Sequence, residues 1–337
     1  MIILGIETSC DETAVAVVED GEKILANTIA SQDEVHEAYG GVVPEWASRT
    51  HLESLPVLLE STLKKANVSW NQIEAICVTQ GPGLLGALLV GVSFAKSLAY
   101  SLHIPCVGVN HLEGHLQAAF LEAKVSYPFV GLLVSGGHTA LYDVKNVGDS
   151  QILGTTLDDA AGEAFDKVAK ILGLGYPGGR EIDRLSRYGN KETFCFPRAY
   201  LDSENLHFSF SGLKTAVLHQ VREFEEPFIP ALVSDLAASF QEAVMDVLVE
   251  KTRRALCRTG YRTVVVAGGV ACNSRLRERF KEVELQKNIT VFFPSAKLCT
   301  DNAAMIAAMG YHSIRQGKAS SYSFSPFANA PLVIGSP

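Results

Sequence analysis

The chain has 337 residues, 47% hydrophobic and 20% charged, and a formal net charge of −8. That supplies a large core and a length that favours about two domains. An acidic chain is a poor stand-alone nucleic-acid binder, because affinity for phosphate backbones comes mostly from Lys and Arg, so any such role needs a partner protein or a local basic patch. The segments "RTGYRTVVV" and "NSRLRERFKEVELQK" offer either such a patch or an ordinary solvated helix face.

No stretch reaches the ~18 uncharged apolar residues that a membrane span needs. The nearest, "GALLVGVSFAKSLAYSL", is interrupted by Lys96 and Gly91. The start, "MIILGIETSC", has no basic region and meets acidic residues at once, unlike a signal peptide. Seven cysteines without CxxC spacing point to a reducing cytoplasm and away from a disulfide framework or a cysteine zinc site.

In chain order, "MIILGIETSCDETAVAVVED" reads as a β-hairpin around a small polar turn, and "HLESLPVLLESTLKKANV" as an amphipathic helix. "IEAICVTQGPG" is a buried strand, "LLGALLVGVSFAKSLAYSL" a helix rich in small residues, and "IPCVGVN" a further strand. About 126 residues after the first hairpin, "PFVGLLVSGGHTALYDVKN" repeats its plan. Helices follow in "DDAAGEAFDKVAKILGL", "GYPGGREIDRLSRYG" and "SDLAASFQEAVMDVLVEKTRRALCRTG", the last ended by Gly260. "RTVVVAGGVACNSRLRERF" is strand, glycine turn and helix; "TDNAAMIAAMGYHSIRQG" is a final helix; the tail after Ser320 is expected to be irregular. A repeated strand–turn–strand plan predicts two α/β domains of related topology.

Three turns carry candidate chemistry. The first hairpin turn, Thr8–Thr13, offers hydroxyls, backbone N–H groups and Asp11, which can position a metal or activate a nucleophile. In Ser135-Gly136-Gly137-His138-Thr139 two glycines let backbone approach a ligand closely. "VVVAGGVACNSRLR" leads a strand through Gly268-Gly269 to Asn273, which can contact a ribose or base or simply cap the helix. This last turn is neither a GKS/GKT P-loop nor a GxGxxG fingerprint. The combination resembles the actin, sugar-kinase and heat-shock ATPase superfold, which implies two duplicated α/β domains with a nucleotide cleft between them. The expected division is 1–130 and 131–337, with the last helix a candidate to pack back on the first domain.

"NHLEGHL" places His111 and His115 roughly 40° apart on one helix face, spacing that suits a shared divalent ion, although one surface and one core histidine give the same pattern. A zinc protease needs H-E-x-x-H, with its glutamate roughly 100° from the first histidine; Glu113 lies roughly 200° round and faces away. Asp301, in "CTDNAAM", is the candidate third ligand or else an N-cap.

"GIETSCDET", "YGGVVPEWASR", "GPGLLGALLVG", "NHLEGHL", "LLVSGGHT", "DDAAGEAFDK", "GLGYPGG", "FSFSGLKT", "AGGVACN" and "TDNAAMIA" occur in this order. Together they resemble the universal family of tRNA threonylcarbamoyladenosine synthases in its bacterial TsaD form, formerly called O-sialoglycoprotein endopeptidase. The resemblance runs from about Ile3 to about Gly310. It implies transfer of threonylcarbamoyl from threonylcarbamoyl-AMP to the exocyclic amine of the adenosine just 3′ of the anticodon, in tRNAs reading codons that begin with A. It also implies one iron or zinc ion on His111, His115 and Asp301. The adenylate, or ATP or ADP in the same cleft, is expected on Leu133, Val134, Ser135, Gly136, Gly137, Asp166, Gly179, Asp183 and Asn273, with Asp11 implicated in activity. Implied partners are a shorter paralogue (TsaB) on the N-terminal domain, a P-loop ATPase (TsaE), tRNA, and an adenylate-making enzyme (TsaC), with no membrane. The helices "GALLVGVSFAKSLAYSL" and "HLESLPVLLESTLKK" are candidate paralogue surfaces or ordinary core helices. The main alternative is a small-molecule kinase of the same superfold; a non-catalytic scaffold and a metallopeptidase fit less well.

Overall fold

The computed structural model describes residues 1–201, 203–224, 229–318 and 322–329. The elements run β1 (Ile2–Glu7), β2 (Glu12–Glu19), β3 (Lys23–Ser31), α1 (Asp33–Glu37), α2 (Pro44–Ala66), β4 (Ala75–Gly81), α3 (Leu85–Leu102), β5 (Cys106–Asn110) and α4 (His111–Gln117). Next come β6 (Phe129–Val134), β7 (Thr139–Asn146), β8 (Asp149–Thr155), α5 (Ala161–Ile171), α6 (Gly178–Ser186), α7 (Ser211–Val221), α8 (Pro230–Thr259), β9 (Thr263–Ala267), α9 (Ser274–Lys287), β10 (Thr290–Phe292), α10 (Ala296–Cys299) and α11 (Ala303–Arg315).

The chain folds as two compact units. One holds Met1–Val125, Val147–Asp149 and the described residues from Lys297 on; the other holds Ser126–Asn146 and Ser150–Ala296. α11, the last helix, belongs to the first unit.

In the first unit the sheet order is β3-β2-β1-β4-β5. β1–β2 and β2–β3 are antiparallel; β1–β4 and β4–β5 are parallel. Strand alternation sends side chains to two cores. Ile3, Ala14, Ala16, Cys77 and Val109 face Ala303, Ile306 and Ala307 of α11. Leu4, Ile6, Val15, Ile76 and Val78 face Leu55 and Leu59 of α2 and Val92 and Ala95 of α3. α11 approaches closely because Gly5 has no side chain; a Cβ there would strike the Ala303 carbonyl. In the second unit the order is β10-β9-β6-β7-β8, with β6–β7 antiparallel and β6–β9 and β9–β10 parallel. The two sheets therefore repeat one strand order, giving a duplicated α/β fold. α8 lies against β6 and β7, and α6 and α9 pack on α8. Gly260 caps α8 in the left-handed region, φ 75°.

Among the described residues α3 is the one helix long and apolar enough to cross a membrane by length and composition. Ala87, Leu88, Val92, Ala95 and Ala99 on one side are buried, and the helix packs on β4 and α2. The tail is without helix or strand over residues 322–329; its other residues lie outside those described.

Candidate metal centre and nucleotide loops

β5 stops at Asn110, whose side-chain oxygen accepts from the Leu112 and Glu113 N–H groups and starts α4. His111 and His115 thus lie one turn apart, with ring centroids 4.6 Å apart and planes at 80°. Gly114 lets α4 approach α11, since a Cβ there would sit 3.0 Å from Ile306 Cδ1. At the start of α11 the N-cap is Asn302, accepting from Met305 N–H at 3.0 Å, not Asp301. The Asp301 carboxylate instead faces the imidazoles, Oδ1 lying 3.0 Å from His115 Nε2 and 3.5 Å from His111 Nε2. The three donor atoms lie within 4.8 Å of one another. Glu113 is not among them, as its helical angle requires.

A residue that the sequence reading missed stands behind this cluster. Glu7, at the end of β1, is fully buried. One of its oxygens accepts from Ser9 N–H at 2.5 Å; the other accepts from the Thr79 hydroxyl at 2.5 Å and from His111 Nδ1–H at 3.0 Å. A carboxylate only accepts, so Nδ1 carries the proton and Nε2 is the atom turned to Asp301. Burial opposes a charge on His111, but Asp301 and Glu7 outweigh it and push the imidazole up to about 9. Two imidazole nitrogens, a carboxylate and a carboxylate–histidine pair behind them form a donor set that suits a divalent ion.

Asp11 lies on the β1–β2 turn, half-buried, its carbonyl accepting from Gln32 N–H at 3.1 Å. Its neighbour Glu12 is pushed well above the usual carboxylate range by burial and then by the Asp301 and Asp11 carboxylates, and is hydrogen-bonded to Asp11.

The other predicted residues meet in the second unit. Leu133 and Val134 are buried at the end of β6. Ser135 closes a turn with His138, whose N–H donates to Ser135 Oγ at 3.1 Å. Gly136 and Gly137 are exposed, and a Cβ on either would meet nothing within 4 Å, so the turn has room beside it. Gly268, φ 93°, lies where a Cβ would strike the Val134 carbonyl, which brings the AGG turn against this loop. The first residues of α5 pack there too, Gly162 N–H donating to the Ser135 carbonyl at 3.2 Å. Asp166 accepts from Gly178 N–H at 2.8 Å and ties the "YPGG" turn to α5, with Gly179 beside Phe165. Asp183 accepts from the Ser274 hydroxyl at 2.7 Å and its N–H at 3.2 Å. Asn273 caps α9 through Leu276 N–H at 3.0 Å and donates to Gln241 at 2.7 Å, so both ends of its amide are engaged.

In the segment "NSRLRERF" two of the three arginines are ion-paired. Arg275 and Arg279 pair with Glu242, and Arg279 also with Asp246. Arg277 donates to the carbonyls of Ala271 and Pro294.

Among solved structures, full-length HypF in a phosphate- and nucleotide-bound form matches with a TM-score of 0.62 at 14% identity, over 95% of this chain and 47% of that one. Component A of the (R)-2-hydroxyglutaryl-CoA dehydratase of Acidaminococcus fermentans matches with a TM-score of 0.54 at 15% identity, over 94% and 99%. These likenesses define the class by fold alone, a duplicated two-unit α/β architecture. The family is then given by sequence. The family model described as TsaD, tRNA N6-adenosine threonylcarbamoyltransferase, matches residues 23–308. Relatives bearing that name in Syntrophotalea carbinolica and Thermosipho africanus are 53% and 51% identical over 98% of this chain and 97% and 100% of their own lengths. One from Geotalea uraniireducens is 56% identical over 92% of this chain and 90% of its own. The chain belongs to the tRNA N6-adenosine threonylcarbamoyltransferase family, a family of acyltransferase enzymes.

Proposed function

We propose that this chain transfers threonylcarbamoyl from threonylcarbamoyl-AMP to N6 of the adenosine just 3′ of the anticodon, in tRNAs that read codons beginning with A. The convergence of His111, His115 and Asp301 on one point, in a chain of this family, carries the reading. N6 attacks the carbamoyl carbon, the bond from that carbon to the phosphate oxygen breaks, AMP leaves with the electron pair, and N6 gives up a proton.

The donor set fits iron or zinc, held by His111 Nε2, His115 Nε2 and Asp301. Such an ion would supply Lewis-acid stabilisation of charge on phosphate or carbamate oxygens. The chain's own residues do the rest. Glu7 holds His111 in the tautomer whose Nε2 can bind. Asp11 orients the amine and takes its proton. Backbone N–H groups of Ser135–Gly137 and the first turn of α5 receive the phosphate of the adenylate, or those of ATP or ADP. Asp183 holds Ser274 at the start of α9, and Asn273 holds that helix start in place. An aromatic amine is a weak nucleophile, so orientation supplies much of the acceleration.

The partners proposed are a shorter paralogue, a P-loop ATPase, and a separate enzyme that supplies the adenylate, all in the cytoplasm where tRNA is modified. Paired arginines in "NSRLRERF" support reliance on partners for RNA affinity. For the paralogue, α3 offers Leu85 and Leu89, each 48% exposed and one turn apart.

The test incubates the chain and its partner proteins with unmodified tRNA and threonylcarbamoyl-AMP, then quantifies modified adenosine by nucleoside mass spectrometry. No product, where an established set works, rejects the reading. Asp11→Asn separates the roles: near-wild-type turnover at saturating adenylate would remove Asp11 as the proton acceptor.

A further inference from the structure

A chain of buried polar side chains runs from α2 to the loop that carries Asp11. Thr13, Gln32, His36 and His51 are at most 1% exposed, and none is among the residues proposed above to hold the metal or the adenylate. Chemistry fixes the direction of every hydrogen bond. The Cys10 carbonyl only accepts, so His51 Nε2, 2.9 Å away, carries the proton. Nδ1 of the neutral ring is therefore an acceptor, and it receives the Thr13 hydroxyl at 2.7 Å and the Gln32 amide at 3.3 Å. His36 Nδ1 accepts from Val43 N–H at 3.3 Å, so its Nε2–H donates to Gln32 Oε1 at 3.2 Å. That leaves Gln32 one orientation, its oxygen to His36 and its amide to His51. No donor meets a donor anywhere along the chain.

The network ends on both sides of Asp11. His51 holds the carbonyl of Cys10, the peptide just before it, and Gln32 N–H holds the carbonyl of Asp11 itself at 3.1 Å. The Cys10 and Asp11 side chains themselves are half-exposed, so the backbone bonds on either side of Asp11 bear on where its carboxylate points. We infer that His51 is a positioning residue, fixing the Cys10–Asp11 peptide so that the Asp11 carboxylate meets its target in one orientation. The inference rests on the catalytic reading of Asp11. A buried histidine serving stability alone would fill the same volume but would not act on turnover at saturating substrate.

His51→Leu removes all three hydrogen bonds of the ring, His51→Gln can restore donation to Cys10 and acceptance from Thr13, and Thr13→Val removes only one of the two donors to Nδ1. Each is assayed in the complete complex for kcat and KM toward tRNA, for metal content, and for hydrogen–deuterium exchange of peptides covering residues 8–14. Misplacement of a reacting group by about 1 Å costs up to ~100-fold in rate. His51→Leu is therefore expected to lose roughly 10- to 100-fold in kcat with KM and metal content little changed, and to exchange faster over residues 8–14. Thr13→Val should move in the same direction by less, and His51→Gln should recover most of kcat. Unchanged kcat in His51→Leu overturns the inference, as does a loss confined to KM or metal content, or a His51→Gln variant as poor as leucine. Should His51→Leu not fold, the Gln and Val variants decide it by the same criteria. If wild-type protein transfers nothing, the functional reading fails, and the loop-fixing claim is judged by exchange alone: unaltered exchange over residues 8–14 rejects it.

Discussion

Glu7→Gln probes the support behind the metal donors. Glutamine keeps the shape of glutamate but has one oxygen where both are in use. If its nitrogen replaces the oxygen that serves Thr79 and His111, it meets two donors, and His111 keeps a bond only by moving its proton to Nε2. That is the atom aimed at Asp301. If the nitrogen replaces the other oxygen, it meets Ser9 N–H, 2.5 Å from the original acceptor. In both cases a carboxylate charge beside the imidazole is gone. Loss of a partner of this kind costs roughly 10- to 100-fold in metal affinity, or about 1.4 to 2.8 kcal/mol. Chelator competition with Zn2+ and Fe2+, alongside thermal melting to check the fold, measures it. His111→Ala, which removes a donor outright, should lose more. An unchanged dissociation constant in a Glu7→Gln variant that melts like wild type refutes the outer-shell role.

Leu85→Glu with Leu89→Glu should leave melting unchanged, because both side chains are on the exposed side of α3, and should abolish binding of the paralogue by calorimetry; persistent binding removes α3 as the surface. Asn273→Ala loses a helix cap worth about 1 kcal/mol and leaves Gln241 without its donor. Melting should fall while AMP affinity changes little, and a selective loss of AMP binding would restore a direct nucleotide role. Acid sensitivity should come from α8. Burial raises Glu242, but Arg275 hydrogen bonding and the Arg275, Arg279 and Lys191 charges hold it at about 2, and Arg253 and Arg254 hold Glu250 at about 2. Both contribute stability that is present above the ordinary value of 4.5 and lost as pH falls from there toward 2. Melting temperatures measured downward from pH 5 should drop through that window, less steeply in Glu242→Gln; an equal slope in that variant would show that this carboxylate is not responsible.

Both hairpins were legible because β1, β2, β6 and β7 are apolar runs broken by short polar turns. β3 and β8 went unread. Their burial is mixed, "KILANTIAS" having one buried residue and "DSQILGT" two, and edge strands of that kind lack the alternation that marks a half-buried strand. α3 shows how an interrupted run still averages apolar: Lys96 breaks the uncharged stretch without lowering the mean hydropathy of the 18-residue helix below that of a span. "NSRLRERF" looked basic because its carboxylate partners, Glu242 and Asp246, are on another helix.

The proposed metal centre shows where local reading ends. His111 and His115 announce themselves by a helical interval, and Asp301 by a polar cluster before an apolar helix. Nothing around Glu7 does: it ends "IILGIE" and reads as the last residue of a buried strand. Its partners Thr79 and His111 stand 72 and 104 residues further on, and only parallel pairing of β1 with β4, and of β4 with β5, brings them to it. The same holds for His51, an unremarkable position in an amphipathic helix until α2 lies across the first hairpin. Residues that bind are written in short motifs because their geometry is local. Residues that aim them belong to other elements, and their chemistry exists only once the sheet order has been built.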